Sequence, residues 1–162
     1  MNSSLQNINI MTVGAAHAAV LAQLHTACFP QGWSSEAFAK LLNMPGAMGL
    51  IATQNDNEEA AIGFALISNA GGEAEIITLG VLPDTQRQGI GTHLINALHK
   101  ICLECDTACV FLEVNSQDTG TVSFYRKAGY ECVGTRERYY KHVDAPADDA
   151  LIMRHTLEKP KH

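Results

Sequence analysis

Gln86-Arg87-Gln88-Gly89-Ile90-Gly91 is a glycine-bearing turn that runs from an apolar strand into a helix. Its two glycines let the backbone approach a ligand closely, and the amides at a helix start lack intrahelical partners. Such amides favour an anion, and Arg87 would add a charge-assisted contact to phosphate oxygens. Pyrophosphate is the group this turn fits, although a tight connection with a solvated Arg87 is the other reading of the same residues. No Lys-Ser/Thr pair follows the second glycine, and no third glycine stands three residues further on. A Walker loop and a dinucleotide-binding fingerprint are therefore both disfavoured.

Glu113 interrupts the apolar run Cys109 to Val114, which predicts a central strand buried on both faces. An acidic residue there is costly unless it is used or hydrogen-bonded. It is either a general base, whose buried surroundings favour the proton-accepting task at neutral pH, or a satisfied core carboxylate. Glu75, beside Glu73 on an earlier strand, is the reserve base, with a solvent-facing edge position as its other reading. Tyr125, taken alone, reads as amphipathic packing beside Phe124. The cysteines at 28, 102, 105, 109 and 132 are an odd set without a disulfide framework. Cys102, Cys105 and Cys109 lack a matching ligand pair elsewhere, so reduced thiols and no metal are expected.

The elements that must position these residues follow from periodicity and breakers. Leu5 to Thr12 alternates as a strand, and Ala15 to Cys28 repeats Ala18, Leu21, Leu24 and Cys28 at helical spacing before Phe29-Pro30. Ser34 caps a second helix over Ser35 to Leu42, with Glu36 in its first turn. Met48 to Thr53 and Ala61 to Ser68 form an antiparallel hairpin, and Glu73 to Leu82 a further strand. The helix after the glycine turn buries Ile90, Leu94, Ile95, Leu98, Ile101 and Cys102, leaving His93 and His99 on its wet face. Asp118 caps a helix over Thr119 to Ala128, which Gly129 ends in the left-handed conformation. Strands near Tyr130 to Tyr140 and Ala150 to Leu157 complete a mixed α/β domain.

The 162 residues, 46% of them hydrophobic, fit one domain over residues 1–158 with a short tail at 159–162. A net charge of −6 argues against binding nucleic acid and leaves room for a cationic substrate. No run reaches the roughly 20 apolar residues of a membrane span, and the start lacks a signal pattern, so a cytoplasmic protein away from membranes is expected.

Leu79-Gly80-Val81 followed by Gln-x-x-Gly-x-Gly resembles the acetyl-CoA signature of the GNAT N-acetyltransferases, over nearly the whole chain. Phe29-Pro30, Trp33-Ser34, Leu112-Glu113-Val114, Phe124-Tyr125, Ala128-Gly129-Tyr130 and Arg138-Tyr139-Tyr140 are similar to the RimI branch. The resemblance implies a twisted mixed sheet of about seven strands, splayed at strands four and five, with Gly80 at a bulge or close approach. It implies acetyl-CoA as donor, held by Leu79, Gly80, Val81, Arg87, Gln88, Gly89, Ile90, Gly91 and Thr92. Glu113 would be the base, directly or through water, and Tyr125 the acid. Asp118 stands where the branch has an asparagine that contacts CoA; lacking the amide donor, it has capping as its alternative role. Trp33, Tyr139 and Tyr140 either wall a peptide groove or fill a satellite core. The implied acceptor is a protein N-terminus, plausibly the alanine of a small-subunit ribosomal protein. A small-molecule amine acetyltransferase and a non-catalytic acyl-CoA-binding module remain the alternatives.

Overall fold

The computed structural model describes residues 7–55 and 60–158. Its strands are β1 (Ile8–Val13), β2 (Ala47–Gln54), β3 (Ala61–Ala70), β4 (Glu73–Val81), β5 (Cys109–Asn115), β6 (Glu131–Tyr140) and β7 (Asp148–Thr156). Its α-helices are α1 (Ala18–Cys28), α2 (Ser35–Leu42), α3 (Ile90–Glu104) and α4 (Thr119–Lys127). One sheet runs β1-β2-β3-β4-β5-β7-β6. Among the described residues only the β4–β5 pair is parallel.

Leu50, Ala52, Ala65 and Ile67 point into a core formed with Leu94, Ile95 and Leu98 of α3. The residues between them, Ile51, Phe64 and Leu66, point into a second core with Leu21, Leu24 and Phe38 of α1 and α2. Burial on both faces explains why β2 and β3 read as continuous apolar runs. Ser34 caps α2 as expected, its Oγ accepting from the Ala37 amide at 3.1 Å.

For β5 the expectation of burial on both faces is overturned. Val110, Leu112 and Val114 join the α3 core, whereas Phe111 and Glu113 are only half-buried. The physical reason is that the described residues of the second core come from β1 to β4 and their helices, so α1 and α2 do not cover β5. His99 also departs from expectation. It is half-buried rather than on the wet face of α3 and bonds the Tyr130 hydroxyl at 2.8 Å.

The sheet splays where the resemblance implies. Parallel pairing joins Glu73, Ala74 and Glu75 of β4 to Cys109, Val110 and Phe111 of β5 and extends no further. Beyond this point β4 stays with β3 and β5 stays with β7. The bulge falls at Ile77, between the pairs Ile67–Ile76 and Leu66–Thr78. Gly80 is therefore a close approach and remains paired with Phe64. A Cβ there would stand 2.7 Å from the Phe64 ring and 3.2 Å from the Cys28 Cβ.

Element ends differ modestly from the sequence reading. Residues 15–17 form a 3-10 turn before α1, and Leu82 leaves β4 for a second such turn over Pro83–Thr85. Leu5 and the tail at 159–162 lie outside the described residues.

Gly80→Ala is expected to lower stability by about 1–3 kcal/mol, because the buried Phe64 ring must move. Urea unfolding should show a lower midpoint at an unchanged slope; an unshifted midpoint would refute the close approach.

Candidate active site

The glycine turn is bent by two residues of positive φ, Arg87 at 64° and Gly89 at 83°. Gly89 is the residue before α3, and the first intrahelical bond runs from the His93 amide to its carbonyl at 3.0 Å. The amides of Ile90, Gly91 and Thr92 therefore point out of the helix start. Gln86 Nε2 donates to the Val81 carbonyl at 3.1 Å, tying the turn to the end of β4. Ile90 is buried in the α3 core, so its side chain anchors the turn while its amide remains directed outward. Gly91 lets Phe124 pack against the first turn of α3, since a Cβ would lie 3.0 Å from that ring. Arg87 and Thr92 are exposed, and Gln88 is half-buried.

Leu79, Gly80 and Val81 pair with Ala65, Phe64 and Gly63 of β3. Their opposite backbone edge faces the side from which β5 has departed. Leu79 and Val81 side chains pack against the α3 core, so a packing role and an open backbone edge coexist. An anion at the turn and an extended chain along β4 fit this arrangement: outward amides, a cation and a strand edge that β5 leaves uncovered lie in sequence along the chain.

Tyr125 is 6% exposed and packs into the α3 core. Its ring meets Tyr130 edge-on at 5.5 Å and Phe124 at 5.0 Å. Burial pushes its phenol well above the usual range, so it keeps its proton.

Glu113 faces the other way, because its neighbours Leu112 and Val114 take the core face of β5. Both its carboxylate oxygens accept from Arg136 Nη1, each at 3.1 Å. It lines a cleft of about 390 Å³ with Ser68, Glu75, Phe111 and Ile152. The two acidic candidates for the base thus share one cleft, and Tyr125 lies on the opposite face of the sheet. The gap between β4 and β5 opens beyond Glu75 and Phe111.

Asp118 accepts from the Thr121 amide at 3.2 Å and the Thr121 hydroxyl at 2.7 Å. Both carboxylate oxygens serve its own helix, which is the capping role. Trp33 stacks on His25 with centroids 4.5 Å apart and lines an apolar groove of about 450 Å³ with Ala37, Leu41, Met44 and Ile77. It is both packed and groove-lining. Tyr139 is 49% exposed and meets Tyr140 edge-on at 5.1 Å.

Arg136 escaped the sequence reading. It stands 23 residues from Glu113 on a different strand, and no local spacing signals a cross-strand partner. A second unforeseen group adjoins Tyr125. Tyr130 OH bonds His99 Nε2 at 2.8 Å. His99 stacks on His155 at 4.5 Å, and His155 Nδ1 donates to the Gly129 carbonyl at 2.9 Å. Burial, helped by His155, brings the His99 imidazole down to about 4.

Among the described residues no three His, Cys, Asp or Glu side chains converge on a metal-sized site. No described helix is long and apolar enough to cross a membrane.

Residues 18–130 match the family model described as "Acetyltransferase (GNAT) family". The chain is 30% identical over 166 residues to the N-alpha-acetyltransferase RimI of Mycobacterium tuberculosis, covering 99% of each. It is 32% identical over 145 residues to the probable N-acetyltransferase san of Drosophila melanogaster, covering 86% of this chain and 75% of that one. In fold it superposes on the Escherichia coli ribosomal-protein-S18-alanine N-acetyltransferase with a TM-score of 0.84 at 23% identity, covering 95% and 96% of the two chains.

Because His99 falls from 6.5 to about 4 on folding, the unfolded chain takes up the proton first as pH drops. Its contribution is therefore intact above about pH 6.5 and is lost progressively toward pH 4. Melting temperature should decline between pH 7 and pH 5, and His99→Gln should flatten that decline. An equally steep decline in the variant would exclude His99 as a source.

Proposed function

This chain belongs to the acetyltransferase (GNAT) family, and we propose that its acceptor is the N-terminal amine of a protein. The target in this reading is the alanine of a small-subunit ribosomal protein, and the setting is the cytoplasm, where its cysteines persist as thiols. The observation that carries this reading is the gap between β4 and β5. The α3 amides and Tyr125 lie to one side of it and the carboxylate-lined cleft to the other. The similarity to the RimI of Mycobacterium tuberculosis over 99% of both chains supports an α-amine acceptor.

In this reading the amides of Gly89 to Thr92, with Gln88 and Arg87, hold the CoA pyrophosphate. Leu79, Gly80 and Val81 align the pantetheine arm, and an amide of that edge polarises the thioester carbonyl. An α-amine titrates near about 8, against about 10.4 for lysine, so a modest base readies it. Glu113 accepts the amine proton, directly or through water, and the nitrogen bonds the carbonyl carbon. The carbon–sulfur bond then breaks, and Tyr125, held protonated by burial, delivers its proton to the departing thiolate. Asp118 serves this arrangement by starting α4, which carries Tyr125. Trp33, Tyr139 and Tyr140 border the acceptor's path.

The decisive assay is acetyl-CoA-dependent thiol release with a basic peptide beginning in alanine, against the same peptide N-terminally blocked with its lysines intact. Release from the free N-terminus alone is expected. Release from both would indicate lysine acetylation or broad specificity; release from neither would favour a small amine or a non-catalytic acyl-CoA-binding module.

Glu113→Gln should lower kcat by about 10²–10⁴-fold with little change in acetyl-CoA affinity. Near-normal turnover in that variant would transfer the base role to Glu75. Arg87→Ala should raise the KM for acetyl-CoA, and an unmoved KM would remove Arg87 from the phosphate site.

A further inference from the structure

Glu113 is engaged before any acceptor arrives. Both its carboxylate oxygens accept from one guanidinium nitrogen, Arg136 Nη1, at 3.1 Å. A fixed cation there occupies the approach an incoming ammonium would use. A base needs that approach free.

Three features make Arg136 able to yield it. The pair is open to water, with Arg136 51% and Glu113 27% exposed, and pairs of this kind hold weakly. The same guanidinium also lies over the Tyr139 ring, its carbon 4.8 Å from the centroid, so a contact remains to hold it when the carboxylate is released. Its strand is irregular at this point, because β6 loses register with β7 between Arg136 and Tyr140.

We propose that Arg136 holds the place of the acceptor's ammonium in the free enzyme and gives it up only to an incoming cation. This rests on the reading of Glu113 as the acceptor-facing carboxylate. The exchange conserves charge: one N–H donor cation leaves the carboxylate and another takes its place, while Arg136 keeps its contact with the Tyr139 face. An N-terminally blocked chain brings no α-ammonium to the carboxylate and leaves the Glu113–Arg136 pair closed. Arg136 is thereby a specificity-determining residue that selects acceptors by the charge of their reacting amine.

The test is calorimetric titration of the full chain, loaded with CoA, with a basic peptide beginning in alanine and with its N-acetylated counterpart. Arg136→Met keeps an apolar stem over Tyr139 and removes the competing cation; Arg136→Gln serves as a second variant. Removing a competitor of this strength should tighten the free peptide by roughly two- to fivefold and leave the acetylated one unmoved. In a Glu113→Gln background the same substitution should have no effect, because the two residues act as one unit. Weaker or unchanged binding of the free peptide in both Arg136 variants overturns the proposal. So does equal tightening of both peptides, which would report general charge alone, and so does the absence of binding throughout. Thiol release, measured in parallel, separates the two readings: the expected binding pattern without release would sink the transfer reaction while leaving Arg136 in its place.

Discussion

Parallel pairing between β4 and β5 stops at Glu75 and Phe111, and the placement of every candidate group follows from that interruption. A strand edge left unpaired inside a sheet has backbone donors and acceptors that must find other partners. Here the loss is contained because each strand is secured on its far side, β4 by β3 and β5 by β7. The Ile77 bulge sits just past the last parallel pair, where β4 must turn away from β5.

The same separation resolves an apparent difficulty in the site. A strand's side chains alternate, so residues next to each other on β5 cannot share a face. Leu112 and Val114 support the core in which Tyr125 is buried, and Glu113 must then face the open cleft. In an unbroken sheet Glu113 and Tyr125 would be walled off from each other by backbone. In the proposed reaction the gap turns that separation into an ordered arrangement, with Glu113 serving one face and Tyr125 the other.

Much of this was legible in the residues. Helix and strand periodicity placed nearly every element, because burial against two cores stamps strong patterns on β2, β3 and α3. Ser34 and Asp118 announced helix starts through side chains that bond within three residues. What could not be read locally was non-local. The apolar run of β5 resembled those of β2 and β3, yet α1 and α2 do not extend over it. The Glu113–Arg136 pair and the stacking of His99 on His155 join residues far apart in sequence, set by strand register rather than spacing. Gly80 was ambiguous from sequence because a bulge and a close approach both require the smallest residue; only the Phe64 ring decides between them.

Strand β6 forms one border of the sheet, and its ladder to β7 is broken at Val133 and again over Glu137 to Tyr139. Arg138 bends the chain with a φ of 53°, and its amide is satisfied by the Asp149 carboxylate at 2.9 Å. A border strand so interrupted, and so charged, is a poor template for another chain to extend. Protection against sheet-to-sheet association and the aim of Arg136 and Tyr139 thus come from the same distortion. A sequence change that straightened β6 would raise the chain's tendency to self-associate while it displaced the cation from the cleft.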